Sequence, residues 1–587
     1  MHLINKKQDF FARAVSVLIT LALTLAPTIA QQPITQAPPA PKPYEDRKSL
    51  EDLEDRSEDI ANGILELAMA VRDGNTKKIS EYFDEGAKVT TLPSEKTEAQ
   101  PEVKWIQKHG WKYEPKTLVA TNRASLANQW EAFLANFSEI EDVRFKLRAS
   151  TFDDAGHSAK SLVYFFIIGR DNKGQRTWIR ATADTIFELS KDSKETCGIK
   201  NSLSKEEGRW LIKEFSLNPM TSLAATTDLF SEVAEPAGLG AKIPAYGEPG
   251  NTGFIWHGAV SADFNNDGWM DLFVTASDRN YLYLNDGKGK FVDVSEQVGL
   301  QYLASGAGPL ALDYDNDGDV DIFIATVGKQ ILFENRLKQD GKLEFRDVSL
   351  EAGVGIASEA YGFSAAAADI NGDGLPDIYV SSYNQYGAIM PDSWFRAMNG
   401  TPNLLFINQG NGKFKEEAKK WGIADRRWSY AAIFGDVNGD NKQDLFVAND
   451  FGEKALYINK GDHFEDEAKA RGVLDPGNGM GAMFGDYNND GLLDLHATNM
   501  SSTAGNRILN RLFPNQNSGN NVLKKLAAGN DLFENLGNGF YKDVTADVGG
   551  LSGQWAWGGG FIDFDNDGWE DLYTPNGFIS GKSMADT

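Results

Sequence analysis

DYDNDGDVD, residues 313–321, places five aspartates in nine positions. Like charges at that density repel one another unless the segment is loose in solvent or a cation sits among them. Recurrence decides between the two. The pattern returns as DFNNDGWMD from Asp263, DINGDGLPD from Asp369, DVNGDNKQD from Asp436, DYNNDGLLD from Asp486 and DFDNDGWED from Asp563. Positions 1, 3 and 5 are always Asp or Asn, and position 9 is always Asp. Position 6 is Gly in every copy except the fourth, which has Asn441.

This spacing suits a calcium loop, because calcium takes about six to eight hard oxygen ligands in flexible geometry. Side chains at positions 1, 3 and 5 converge as the chain curls. Position 6 turns sharply, which Gly tolerates best and Asn next. The carbonyl at position 7 and the carboxylate at position 9 complete the shell. The candidate ligands are Asp263, Asn265, Asp267 and Asp271; Asp313, Asp315, Asp317 and Asp321; Asp369, Asn371, Asp373 and Asp377. In the second half they are Asp436, Asn438, Asp440 and Asp444; Asp486, Asn488, Asp490 and Asp494; Asp563, Asp565, Asp567 and Asp571. Up to six Ca2+ ions are expected, mainly structural, since each loop joins two strands of one unit. Six ions would move the net charge from -26 to -14. The competing reading is six metal-free turns rich in Asp and Asn. The start of each loop matches an EF-hand, but the Glu at position 12 and the exiting helix are missing. A strand follows instead: DLFVTA, DIFIAT, DIYVSS, DLFVAN, DLHATN or DLYTPN.

Two further segments recur. One reads LYLND, ILFEN, LLFIN, ALYIN and DLFEN. The other reads FSEVAEPAGL at 230–239, FVDVSEQVGL at 291–300, FRDVSLEAGV at 345–354, FKEEAKKWGI at 414–423, FEDEAKARGV at 464–473 and YKDVTADVGG at 541–550. Strand, loop, strand, loop, strand, turn, strand over some fifty residues predicts a four-stranded blade, and the series an all-β propeller. Six blades are expected. The segment near Phe230 would complete the blade begun by Asp563–Asp571, closing the sheet edge. Seven blades follow if 240–256 or 501–530 hides another. The loop with its DLFVxx strand, followed by LYxNxGxGxFxDVxxxxGL, resembles the FG-GAP and VCBS repeats of integrin-α-like propellers. Residues 228–587 more closely resemble the cartilage acidic protein 1-like family, whose members often carry a C-terminal ASPIC/UnbV domain. WEDLYTPNGF at 569–578 is similar to the approach to that domain, and the chain stops there. The resemblance implies an extracytoplasmic calcium-binding role in adhesion or interaction, with no established catalysis.

Residues 1–30 read as a signal peptide: Lys6, Lys7 and Arg13, the apolar run AVSVLITLALTLA at 14–26, then Thr28 and Ala30 at a small-residue cleavage site. An uncleaved anchor is the alternative. The expected location is secreted, periplasmic or cell surface, with no stable membrane insertion after cleavage. Residues 31–47 form a Pro-rich linker. Residues 48–225 predict an α+β domain. Residues 48–89, ending in KISEYFDEGAKV, read as helices with Gly74 as a break, and VRFKLRASTF, SLVYFFIIGR, TWIRATADTIFEL and WLIKEFSL read as strands. That element order resembles the nuclear transport factor 2-like fold. Cys197 is the only cysteine, so no internal disulfide forms. A net charge of -26 excludes nucleic acid as a partner, because phosphate binding needs a basic surface.

Strand direction puts the loops at 383–403 and 501–530 on the face opposite the Asp-rich turns. They are the largest insertions and the expected contact with a protein or glycan partner, through Trp394, Phe395, Arg396, Arg507 and Arg511. A lectin would instead stack sugars on Trp256, Trp428 or Trp557, although their place in the first strands fits core packing. A polysaccharide-active enzyme would need positioned acid–base groups. The propeller half offers only His257, His463 and His496, the last at a hydrophobic strand position, and no catalytic constellation emerges.

Overall fold

The computed structural model describes residues 44–103, 105–192, 194–204, 206–228, 230–242, 257–276, 278–300, 306–385, 389–513, 521–549 and 555–576. The expected signal segment, most of the linker and Trp256 lie outside them. The chain divides into two compact units, one reaching to Ser231 and the other starting at Glu232; the helix Thr503–Leu512 belongs to the first.

In the first unit, the helix Tyr44–Arg72 buries Ile60, Ile64, Leu67, Ala68 and Val71, the three-and-four spacing of one apolar stripe. It starts within the expected linker. Gly74, at φ 64°, ends it, and Asn75 Oδ1 accepts from Lys78 N at 3.0 Å to cap the helix Thr76–Ser80. The expected helical run fails at Phe83–Val89. That stretch is a strand, paired in parallel with Arg209–Leu217 and antiparallel with Val119–Ala120. Phe83, Ala87 and Val89 are buried there, so cross-chain pairing overrides the local helical preference. The four expected strands appear as Phe137–Phe152, Ser158–Asp171, Arg176–Ser190 and Arg209–Leu217. Alternate residues face the core, where Phe145, Phe165, Phe187 and Trp210 meet Trp130 and Phe133 of the helix Arg123–Leu134. Among the described residues, no helix is long and apolar enough to cross a membrane.

The second unit is a succession of antiparallel sheets, β-propeller-like in plan. Five have four strands each, in chain order: Gly258–Asp293, Gly306–Asp347, Gly362–Glu416, Ser429–Asp466 and Gly479–Asp543. Cores lie between consecutive sheets; Phe264, Phe273, Ile322, Ile324, Phe333 and Phe345 fill the first. Second strands such as Asp321–Thr326 are buried along their whole length, which explains their unbroken apolar runs. The tails of the first five FxDV-type segments lock onto the next sheet through a left-handed glycine. At Gly472 (φ 86°), an added Cβ would lie 2.4 Å from the Tyr541 carbonyl oxygen.

The sixth sheet departs from expectation. Among the described residues it has two strands, Gly560–Ile562 and Asp571–Tyr573. Among the described residues, no closing strand forms near Phe230, which lies in irregular chain and is 75% exposed. The reason is local: 230–239 carries the last segment of a unit but no LYxN strand to hold it against Asp571–Tyr573. Its tail nevertheless docks as the other copies do, with Gly238 against the Phe291 carbonyl and Leu239 on Tyr281 and Tyr283. Among its described residues, the insertion at 501–530 forms the helices Thr503–Leu512 and Val522–Ala528 rather than a blade, and most of 240–256 lies outside the described residues.

Candidate metal centre

All six Asp-rich segments are tight turns between first and second strands, built alike. The position 1 carboxylate accepts two backbone amides. Its Oδ1 takes the position 5 N–H at 2.9–3.1 Å, and its Oδ2 the position 6 N–H at 2.8–2.9 Å. Position 5 then accepts the position 7 N–H through Oδ1 at 2.8–3.0 Å. Position 6 has a left-handed backbone in every copy, including Asn441 at φ 63°. Position 4 does too, at φ 55–76°, and is Asn266, Asn316, Gly372, Gly439, Asn489 or Asn566. The sequence signal was present, since only Asn and Gly occur there, but it was missed.

The position 9 aspartates open the second strands and are buried in the first five sheets. Their Oδ1 accepts the N–H of the third-strand asparagine, for example Asn335 to Asp321 at 2.7 Å and Asn459 to Asp444 at 2.9 Å. Their Oδ2 accepts the position 2 N–H in the first four loops, at 3.0–3.2 Å. The same third-strand asparagines reach backwards: Asn335, Asn408, Asn459 and Asn535 donate to the position 2 carbonyl of the preceding loop at 2.8–3.1 Å. The first five loops are thus stitched in series.

The donor set suits a hard cation. Among the described residues, three carboxylates bring oxygens within 4.8 Å of one another in two loops: Asp313, Asp315 and Asp317, and Asp563, Asp565 and Asp571. In the other four, position 3 is Asn, and positions 1, 5 and 9 do not converge that closely. Among the described residues, two buried loop oxygens have no hydrogen-bond partner: Oδ1 of Asp565 and Oδ2 of Asp494. The Tyr487 amide faces Asp494 and favours its charge without reaching hydrogen-bond geometry. An unpartnered buried carboxylate oxygen is costly, and a metal ion is a natural partner for it.

Burial pushes the position 9 carboxyls up, against the pull of their amides: Asp321 to about 8, Asp377 to about 7, Asp444 and Asp494 to about 6. A carboxyl whose folded pKa is raised contributes stability that is fully present below about pH 4 and lost as pH rises through the folded value. In chelator, the melting temperature of the sheet-repeat unit is therefore expected to fall steadily from pH 5.5 to 8.5. Calcium, which needs the ionised form, should cancel most of that fall. A flat profile in chelator would contradict the burial-driven shifts.

The opposite-face loops fare differently. At 383–403, Asn399 is the anchor: it donates to the Met390 carbonyl at 2.8 Å and accepts from Trp428 Nε1 at 2.9 Å. Trp394 packs on Phe451 at 5.3 Å, Phe395 is half-buried, and Arg396 pairs with Glu453 at 3.0 Å. Ile389, Met390 and Met398 are left exposed. At 501–530, Arg507 of the helix Thr503–Leu512 is buried and donates to Glu54, both within the first unit. The Arg511 side chain lies outside the described residues. Trp428 is fully buried and Trp557 stands 6.0 Å from Tyr430, so both serve packing. His496 is core as well, with its Nδ1 bonded to the Asp531 carbonyl at 2.9 Å.

Residues 263–324, 313–380, 392–447 and 436–497 match the family profile of the FG-GAP-like repeat. Together the four matches span the first five Asp-rich loops. It is similar to cartilage acidic protein 1 of Mus musculus, 31% identical over 124 residues; the match covers 21% of this chain and 16% of that protein's length. Solved structures give looser likenesses. An Agrocybe aegerita lectin recognising non-reducing terminal N-acetylglucosamine covers 84% of this chain and 99% of its own, at 14% identity and TM-score 0.32. The epoxide hydrolase/cyclase-like enzyme SalBIII covers 29% of this chain and 93% of its own, at 15% identity and TM-score 0.17. Likenesses of that degree say nothing about what this chain binds.

Proposed function

We propose that this chain is an exported, calcium-binding β-propeller protein that acts as an adhesion or interaction module for a protein or glycan partner. The observation that supports the metal is the six-fold recurrence of one turn geometry, with buried loop oxygens at Asp494 and Asp565 that complete no hydrogen bond. The ions are structural: they neutralise the carboxylates that hold first and second strands together. Extracellular calcium modules bind weakly enough to fill only outside the cell, which agrees with the signal-like N-terminus.

The partner surface is the 383–403 loop. Its backbone is pinned by Asn399, so Ile389, Met390 and Met398 are presented at low entropic cost. The test is binding of the full chain, in 1 mM calcium, to a glycan array and to a panel of purified extracellular matrix proteins. Met390→Lys with Met398→Lys should lower the signal on any binder at least tenfold, without moving the melting temperature. Equal binding by variant and parent would take the interface off this loop. A stoichiometry near one ligand per sheet would favour a lectin.

A further inference from the structure

The position 4 asparagines do something their own loops do not require. Asn266 Nδ2 donates to the Gly318 carbonyl at 3.3 Å, Asn316 to the Gly374 carbonyl at 3.0 Å, and Asn489 to the Gly568 carbonyl at 2.9 Å. In every case the acceptor is position 6 of the next loop. Asn266 also reaches Asp319 Oδ1 at 2.8 Å.

The accepting peptide matters. Its C=O belongs to position 6 and its N–H to position 7. That N–H is the one bonded to the position 5 carboxylate: Asp319 N to Asp317 at 2.8 Å, Leu375 N to Asp373 at 2.9 Å, Trp569 N to Asp567 at 2.9 Å. One rigid peptide plane therefore links an asparagine of one loop to a candidate ligand of the next. Hydrogen bonds in series through a peptide polarise and orient each other. At the donor end, the position 4 backbone is fixed by the position 5 amide, held by the position 1 and position 3 side chains; Asp267 N bonds Asp263 and Asn265, both at 3.0 Å.

We infer that the position 4 asparagines couple metal binding in one loop to metal binding in the next, so that loops one to three and loops five and six load as linked groups while loop four loads alone. This rests on the calcium reading above. Loop four is isolated for a plain reason: positions 372 and 439 are Gly, which has no side chain to donate. The third-strand asparagines join the first five loops alike, so they do not set loop four apart from loops one to three. Space for the missing donor exists, because a Cβ at Gly372 or Gly439 would meet nothing within 4 Å. Their left-handed backbones, both at φ 76°, also admit Asn.

Terbium(III) reports on one end of a link. Trp569 is position 7 of loop six and sensitises an ion bound there; Trp269→Phe removes the equivalent signal from loop one. In the full chain carrying that change, Asn489→Gly alters loop five alone and keeps its backbone geometry. It should weaken terbium binding at loop six about fivefold, the low end of ordinary coupling between sites. Calcium calorimetry on Gly372→Asn should show the reverse, one site tightening about fivefold as loop four joins its neighbour. Unchanged terbium affinity in Asn489→Gly, or unchanged calcium isotherms in Gly372→Asn, would overturn the coupling while leaving the calcium reading intact. No terbium emission and no calcium heat in the parent chain would overturn both.

Discussion

In 1 mM calcium, the sheet-repeat unit is expected to melt far above its temperature in chelator, while the first unit melts unchanged. At a dissociation constant of about 10⁻⁴ M, each site adds roughly 1.4 kcal/mol by mass action, and six independent sites about 8 kcal/mol. For a unit of this size that corresponds to an upward shift of roughly 15 °C. The first unit has no Asp-rich turn of this kind, so two transitions should separate in a calorimetric scan. If only the two loops with converging carboxylates fill, those at Asp313 and Asp563, the gain drops to about 3 kcal/mol. Bound-metal analysis after dialysis decides between two and six. No shift together with no retained metal would make the loops plain turns, held by their own amides.

Lys454→Met is expected to be the most damaging substitution outside the loops. Lys454 is fully buried, with its Nζ 2.6 Å from Asp475 Oδ1 and 3.6 Å from Asp531 Oδ2. Lys525, from the helix Val522–Ala528, reaches Asp475 at 2.9 Å, Asp543 at 3.1 Å and Asp531 at 3.7 Å. Burial works to raise the Asp475 carboxyl, and the two ammonium groups overcome it and hold it ionised; burial and the Asp475 charge push Asp531 up. Removing one lysine leaves two buried aspartates on the other, which typically costs about 3–5 kcal/mol. Asp531→Asn in the same chain removes the surplus charge and should recover a large part of the loss. Urea denaturation of the parent, the single variant and the double variant measures this. If the double variant is no more stable than the single, the loss is one of packing rather than charge.

The Asp-rich turns, the second strands and the LYxN and FxDV segments are legible in the chain because each is local. Ligand spacing, left-handed positions and apolar runs all act within about ten residues, and repetition averages out the noise of any single copy. Counting repeats also predicts a sheet succession, and four such repeats match a known family profile. The strands of the first unit are legible for the same reason, through their alternating burial. Phe83–Val89 is not, because what makes it a strand is a partner more than a hundred residues away.

Other features belong to the tertiary structure alone. Position 4 reads in sequence as a turn residue, yet its amide acts on a neighbouring loop 52, 58 or 79 residues on, and no periodicity encodes which junctions carry that bond. Lys454 and Lys525 look like ordinary surface lysines until folding buries their partners from three separate segments. The sixth sheet looked like its siblings because its loop is complete, but sheet completion depends on strands brought from elsewhere, and 230–239 supplies none. Local chemistry is written in the order of residues; pairing, burial and charge balance depend on distances that only the folded chain sets.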